Sequence, residues 1–175
     1  MVSGLKLFDL NGKTALITGS SQGIGYALAK GLADAGSDII LNGRNIEKLK
    51  KSAELLNTKQ KIFQLCFDVT DYKQTKQSIN EFERENKPID ILINNAGMQF
   101  RTPLEDFPPE KFELLLKTNV SSVFNVSQAV VKYMIKRGEG KIINIASVQT
   151  SLARPGIAPY TATKGAVGNI TKGMA

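Results

Sequence analysis

The run Thr18-Gly19-Ser20-Ser21-Gln22-Gly23-Ile24-Gly25 decides the fold. A short apolar stretch, Thr14–Thr18, leads into it, and beyond it Ile24, Ala27, Leu28, Gly31, Leu32 and Ala35 recur at helical spacing. A strand that passes through glycines into a helix is the phosphate-binding turn of a strand-helix-strand unit. Gly19 permits the tight turn, Gly23 lets the backbone approach a pyrophosphate, and Gly25 lets helix and strand pack closely. The spacing is GxxxGxG rather than the commoner GxGxxG, so the turn taken alone can also be one that binds nothing.

Working outward, four further apolar runs read as strands: Ile39–Asn42, Ile62–Phe67, Ile89–Asn94 and Lys141–Ile145. Their apolar positions run on rather than alternate, as expected where helices cover both faces of a parallel sheet. Between them Leu49, Ala53 and Leu56, and then Ile79, Phe82 and Glu83, mark helices that dock one stripe on the sheet. A longer, mostly apolar helix should start near Pro108 or Pro109 and stop at Gly138 after Lys136 and Arg137, part of it packing against another subunit. Residues 165–175 read as a helix with no C-cap and no following strand, from which the natural chain is expected to continue. The pattern predicts an α/β fold: a Rossmann-type doubly wound parallel sheet in a single domain, its C-terminal part absent from this chain.

Composition removes several classes of chemistry. The 175 residues contain no histidine, which excludes a Ser-His-Asp triad, a histidine metal site and histidine acid-base catalysis within them, and no metal is called for. A single cysteine, Cys66, excludes an internal disulfide, fits a reducing cytoplasmic compartment, and is expected to be buried in its apolar run. The net charge of +7 comes from lysines scattered among acidic residues, such as Lys48, Lys50, Lys51, Lys59 and Lys61 with Glu47 and Glu54, with no accompanying stacking aromatics. That describes a solvated surface rather than a nucleic-acid partner. Residues 1–9 lack the apolar core of a signal peptide, and the uncharged stretch at residues 118–131 falls short of a membrane span.

Candidate site residues gather where strands end. About twenty residues beyond the glycine turn, NAD-binding units place a carboxylate against the ribose 2′-hydroxyl. Here the residues are Asn42-Gly43-Arg44, so no carboxylate repels a phosphate and Arg44 is free to bind the 2′-phosphate of NADP, unless it is simply an exposed loop arginine. Asp68-Val69 and Asn94-Asn95-Ala96-Gly97 lie at the carboxyl edge, where open α/β sheets bind ligands. Asp68 suits an adenine amino group or a helix N-cap, and the small Ala96-Gly97 pair suits close approach of a ribose. Tyr160 and Lys164 are four apart and share one helix face. A phenol titrates near pH 10 and is a poor acid-base group at neutral pH until a nearby ammonium stabilises its anion. Ser147, two residues past the fifth strand, can hold a substrate oxygen.

Taken together, the glycine motif at 18–25, the Asn-Asn-Ala-Gly run at 94–97 and the ordered set Asn119, Ser147, Tyr160 and Lys164 resemble the short-chain dehydrogenase/reductase family over essentially the whole chain. The resemblance implies NADP(H)-linked hydride transfer with Tyr160 as general acid/base. Ser147 orients the carbonyl or hydroxyl, and Lys164 tunes the tyrosine and binds the nicotinamide ribose. Asn119 holds a water linking the lysine to solvent, or else is a polar residue at a helix interface. Ser21 and Gln22 lie where side chains help Arg44, and Gly19, Gly23, Ile24, Gly25, Asp68, Val69, Asn95, Ala96 and Gly97 are implied to contact the cofactor. A cytoplasmic homo-oligomer, dimer or tetramer, is implied as well.

Two longer runs, residues 94–108 and 147–160, look like the gluconate 5-dehydrogenase (5-ketogluconate reductase) subgroup, notably at Gln99, Arg101 and Gln149. That implies a sugar-acid substrate contacted by Arg101, Ser147, Gln149, Arg154 and Tyr160. A guanidinium can bind a carboxylate bidentately, although Arg101 and Arg154 can equally be solvated or intersubunit residues. A 3-oxoacyl-thioester reductase and a catalytically silent nucleotide-binding regulator are the competing expectations.

Overall fold

A computed structural model describes residues 7–175 of the chain. Residues 1–6, on which most of the signal-peptide reading falls, lie outside the described residues. Five strands, β1 (Thr14–Ile17), β2 (Asp38–Gly43), β3 (Ile62–Cys66), β4 (Ile91–Asn94) and β5 (Lys141–Asn144), form one sheet in the order β3-β2-β1-β4-β5. Every pairing is parallel. The order turns back on either side of β1, so the carboxyl ends of β1 and β4 form the crevice where such sheets bind ligands.

Helices cover both faces. α1 (Gly23–Asp34) and α2 (Ile46–Leu56) share one face, and α3 (Tyr72–Glu85) and the long α5 (Ser122–Arg137) share the other. Alternate residues of β1 serve the two layers: Ala15 and Ile17 pack with Ala29, Leu41 and Leu49, while Leu16 packs with Ile79, Leu92, Val126 and Val130. Carboxylates fasten the amino edge of the sheet. Asp90 accepts from Thr14 N at 2.9 Å and Asp38 accepts from Lys61 N at 2.9 Å. No described helix is long and apolar enough to cross a membrane.

Several expectations need correction. The run-on apolar pattern holds for β1, β2 and β4, but β3 and β5 are edge strands and only partly covered, with Ile143 47% exposed. Cys66, expected to be buried, is exposed, because it ends the β3 edge. The buried stripe of α1 is Gly25, Ala29 and Ala33, one position on from the expected one, and Ile24 is 68% exposed. Small side chains let the helix lie close to the sheet, and larger ones such as Leu28 and Leu32 flank the contact.

The single long helix expected over residues 108–138 is three pieces: α4 (Pro109–Leu116), a π-helical turn (Lys117–Ser121) and α5. Its end is as read, with Gly138 left-handed at φ 70° after Lys136 and Arg137. The last helix, α6 (Ala158–Met174), takes in residues 165–174 together with the Tyr160–Lys164 stretch read as helical, with Pro159 in the first turn. Tyr160 therefore shares a helix with Lys164.

Candidate active site

The glycine turn is built as its sequence requires. Gly19 and Gly23 have φ of 63° and 61°, which side-chain-bearing residues rarely adopt. A Cβ on Gly25 would come within 2.5 Å of both Asn95 Nδ2 and Gly19 O, so the third glycine serves a close approach to the 94–97 run. At Gly23 a Cβ would meet nothing within 4 Å, leaving that side of the turn open to a ligand. Gln22 is the extended N-cap of α1 and makes no side-chain cap, and the first turn carries no acidic residue. The N–H groups and positive end of the helix dipole thus face an opening fit for a pyrophosphate. Ser21 instead uses its carbonyl to accept from Ser52 Oγ at 2.7 Å, tying the turn to α2.

The second cofactor element is held by side-chain bonds that the sequence reading did not assign. Thr18 Oγ1 accepts from Asn95 N and Ala96 N, each at 3.0 Å, and Asn95 Nδ2 donates to Thr18 O at 2.9 Å and Gly19 O at 3.2 Å. The Asn95 side chain is therefore spent on bolting the glycine turn to the end of β4. Asn42, read only as the absence of an acid, accepts from Gly19 N at 3.3 Å and donates to Leu65 O and Phe67 O. Hydroxyl and amide side chains at strand ends next to a glycine turn were the available signal.

Arg44 stands at the end of β2 with its side chain 80% exposed, and Nη1 lies 3.7 Å from Asp68 Oδ2. The expectation that no carboxylate is near thus needs amending: one comes from the neighbouring strand end rather than from β2. Asp68 lies two residues past the end of β3, and its Oδ1 accepts from Thr70 N and Thr70 Oγ1, both at 2.8 Å, in a local turn, while the helix N-cap expected of Asp68 is instead Asp71, whose side chain accepts from Gln74 N. Val69 is only 7% exposed and packs in the core, so its backbone alone is available to a ligand.

The Tyr160–Lys164 pair lies across the crevice. Lys164 is 7% exposed, its Nζ donates to Ile145 O at 2.7 Å, and it sits 5.8 Å from the centroid of the Tyr160 ring. Burial pushes its pKa below the ordinary lysine value. Ser147 caps a 3₁₀ turn (Val148–Thr150), its Oγ accepting from Gln149 N at 3.2 Å, which leaves its own proton to donate. Asn119 is 1% exposed in the π-helical turn. Its Oδ1 accepts from Met98 N at 2.8 Å, and its Nδ2 donates to Met98 O at 2.9 Å and to Thr163 Oγ1 at 3.1 Å. A π turn inserted in a helix commonly marks a functional position. Here it seats Asn119 against both the β4 exit and α6.

Arg101 and Arg154, from different loops, line one open cavity of about 630 Å³ together with Glu105 and Ile157. Thr102 N donates to Gly156 O at 3.3 Å and holds the loops side by side. Arg101 also donates to Gln99 Oε1 at 3.3 Å. Gln149 is not in that cavity; its Oε1 is buried and has no hydrogen-bond partner among the described residues.

This geometry has close counterparts. Over 170 residues the chain is 55% identical to gluconate 5-dehydrogenase of Gluconobacter oxydans (strain 621H), covering 97% of this chain and 66% of that protein. It is 43% identical over 169 residues to 5-keto-D-gluconate 5-reductase of Escherichia coli (strain K12), covering 96% of this chain and 66% of the relative. The chain thus spans about two thirds of the length of these relatives. Among solved structures, a gluconate 5-dehydrogenase from Burkholderia cenocepacia J2315 in complex with NADP and tartrate superposes with a TM-score of 0.94 at 51% identity, covering 97% of this chain and 67% of that one. The model of the short chain dehydrogenase family matches residues 13–175, which include the glycine turn, the 94–97 run and the Tyr160–Lys164 helix. With fold, strand order and site in agreement, the chain belongs to the short-chain dehydrogenase family.

Proposed function

We propose that the protein catalyses reversible hydride transfer between NADP(H) and a secondary alcohol or ketone of a sugar acid, interconverting D-gluconate and 5-dehydro-D-gluconate. The observation that carries this reading is the buried Lys164 beside Tyr160 on one face of α6, across the crevice from an open glycine turn. When bound, the reduced nicotinamide supplies the hydride.

Tyr160 donates a proton to the substrate oxygen in reduction and takes it back in oxidation. The Lys164 ammonium, fixed on Ile145 O, favours the phenolate that remains. Ser147 donates its free proton to the same oxygen, where negative charge develops. Gly19, Gly23 and Gly25 shape the pyrophosphate cradle, and Arg44 binds the 2′-phosphate by charge-assisted hydrogen bonds once released from Asp68. Arg101 and Arg154, brought to one cavity, bind the substrate carboxylate. The same reading places the enzyme in the cytoplasm as a homo-oligomer. Exposed Phe112, Phe124 and Ile135 on α4 and α5 support the oligomer.

Steady-state assays of the full-length protein test the proposal, with 5-dehydro-D-gluconate, other keto-acids and a 3-oxoacyl thioester, each with NADPH and NADH. The highest kcat/KM is expected for 5-dehydro-D-gluconate with NADPH. Preference for the thioester, or turnover of neither, would remove the sugar-acid assignment.

A further inference from the structure

We infer that Thr163 is a positioning residue for the reaction, the hydroxyl through which the β4 exit fixes the helix that carries Tyr160 and Lys164. This rests on the hydride-transfer reading but on no particular substrate.

Thr163 lies between the two residues on α6 and is fully buried. A hydroxyl has one proton and two acceptor positions. Oγ1 donates that proton to Tyr160 O at 2.7 Å, and so receives Asn119 Nδ2 at 3.1 Å as an acceptor. The rest of the Asn119 amide is committed to Met98, through both backbone groups of that residue. A Cβ on Gly97 would stand 3.3 Å from Asn119 Oδ1, so the residue before Met98 is also fitted to the amide. Three and two residues before Met98, Asn95 and Ala96 hang from Thr18 Oγ1 at the entrance to the glycine turn.

One chain of hydrogen bonds therefore runs from the proposed cofactor cradle, through residues 95–98 and the π-helical turn, to α6. It reaches the helix at Thr163, one residue before Lys164 and three after Tyr160. Rotation or sliding of α6 about this point moves the phenol and the ammonium together relative to the cradle. Hydride and proton transfer both need near-attack geometry, and displacements of about 1 Å can cost on the order of a hundredfold in rate.

The test compares Thr163→Val, which keeps the shape and removes the hydroxyl, with Thr163→Ser, which keeps the hydroxyl, in the full-length enzyme and with whichever ketone the wild type reduces fastest. Thr163→Ala is read alongside, so that a valine variant that fails to fold does not close the comparison. Loss of the hydroxyl is expected to lower kcat by about tenfold to a hundredfold with KM changed by less than about threefold, to move the midpoint of the kcat–pH profile, and to be rescued by serine. Unchanged kcat in the valine or alanine variant, an unmoved pH midpoint, or a serine variant as poor as those two would overturn the tie while leaving the reaction standing. A wild-type enzyme that reduces no ketone would overturn both.

Discussion

Arg44 Nη1 lies 3.7 Å from Asp68 Oδ2, so the side chain proposed to read the cofactor phosphate rests against a carboxylate from the next strand end. The arginine is 80% exposed, and an ion pair so exposed is worth little, which leaves the guanidinium easy to recruit. Arg44→Ala is expected to weaken NADPH binding by about tenfold or more and to leave NADH binding nearly unchanged, since the charge-assisted contact is made to the 2′-phosphate alone. Fluorescence titration with the two cofactors measures this, and equal losses would take Arg44 out of the site.

Lys164 offers a test free of any ligand. Burial lowers its pKa in the folded protein from the ordinary 10.5. Between that lowered value and 10.5, unfolding takes up a proton, so the folded state gains stability as pH rises through the window. Lys164→Met lacks this gain. Denaturant unfolding of both proteins from neutral pH upward should show the wild type gaining on the variant as pH climbs, and a wild type that loses ground would contradict the burial of a charged lysine.

The two arginines of the shared cavity should separate from the catalytic pair in kinetics. Arg101→Ala and Arg154→Ala are expected to raise KM for a sugar-acid substrate by about tenfold each. A ketone of similar size without a carboxylate should respond little. If both substrates suffer alike, the arginines shape the loops and do not read the acid.

Much of the fold was legible in sequence because the apolar runs of β1, β2 and β4 are buried on both faces and so carry an unbroken pattern. The edges were less legible. Cys66 sits in a run of the same kind, yet at the margin of the sheet, and strand position depends on the pairing of distant segments that periodicity does not report. Residues 109–137 look like one apolar helix because a π turn adds a residue to one turn without changing composition.

In the site, the Tyr160–Lys164 spacing and the glycines were readable from local geometry. Thr18, Asn42 and Thr163 were not, since each acts through backbone groups of residues remote in sequence or hidden within the same turn. Likewise Asn95 and Val69 sit within a cofactor-binding pattern, while their side chains are occupied by the protein itself.

The central claim is that Tyr160, set beside the buried Lys164, passes the proton that accompanies hydride transfer. Single-turnover reduction of 5-dehydro-D-gluconate by preformed full-length enzyme–NADPH complex, wild type against Tyr160→Phe, tests it most directly. The phenylalanine variant keeps the ring and its packing and should bind NADPH within a fewfold of wild type, while its hydride-transfer rate falls by about a hundredfold to ten-thousandfold. A variant that binds cofactor normally and transfers hydride at the wild-type rate would show that another group carries the proton.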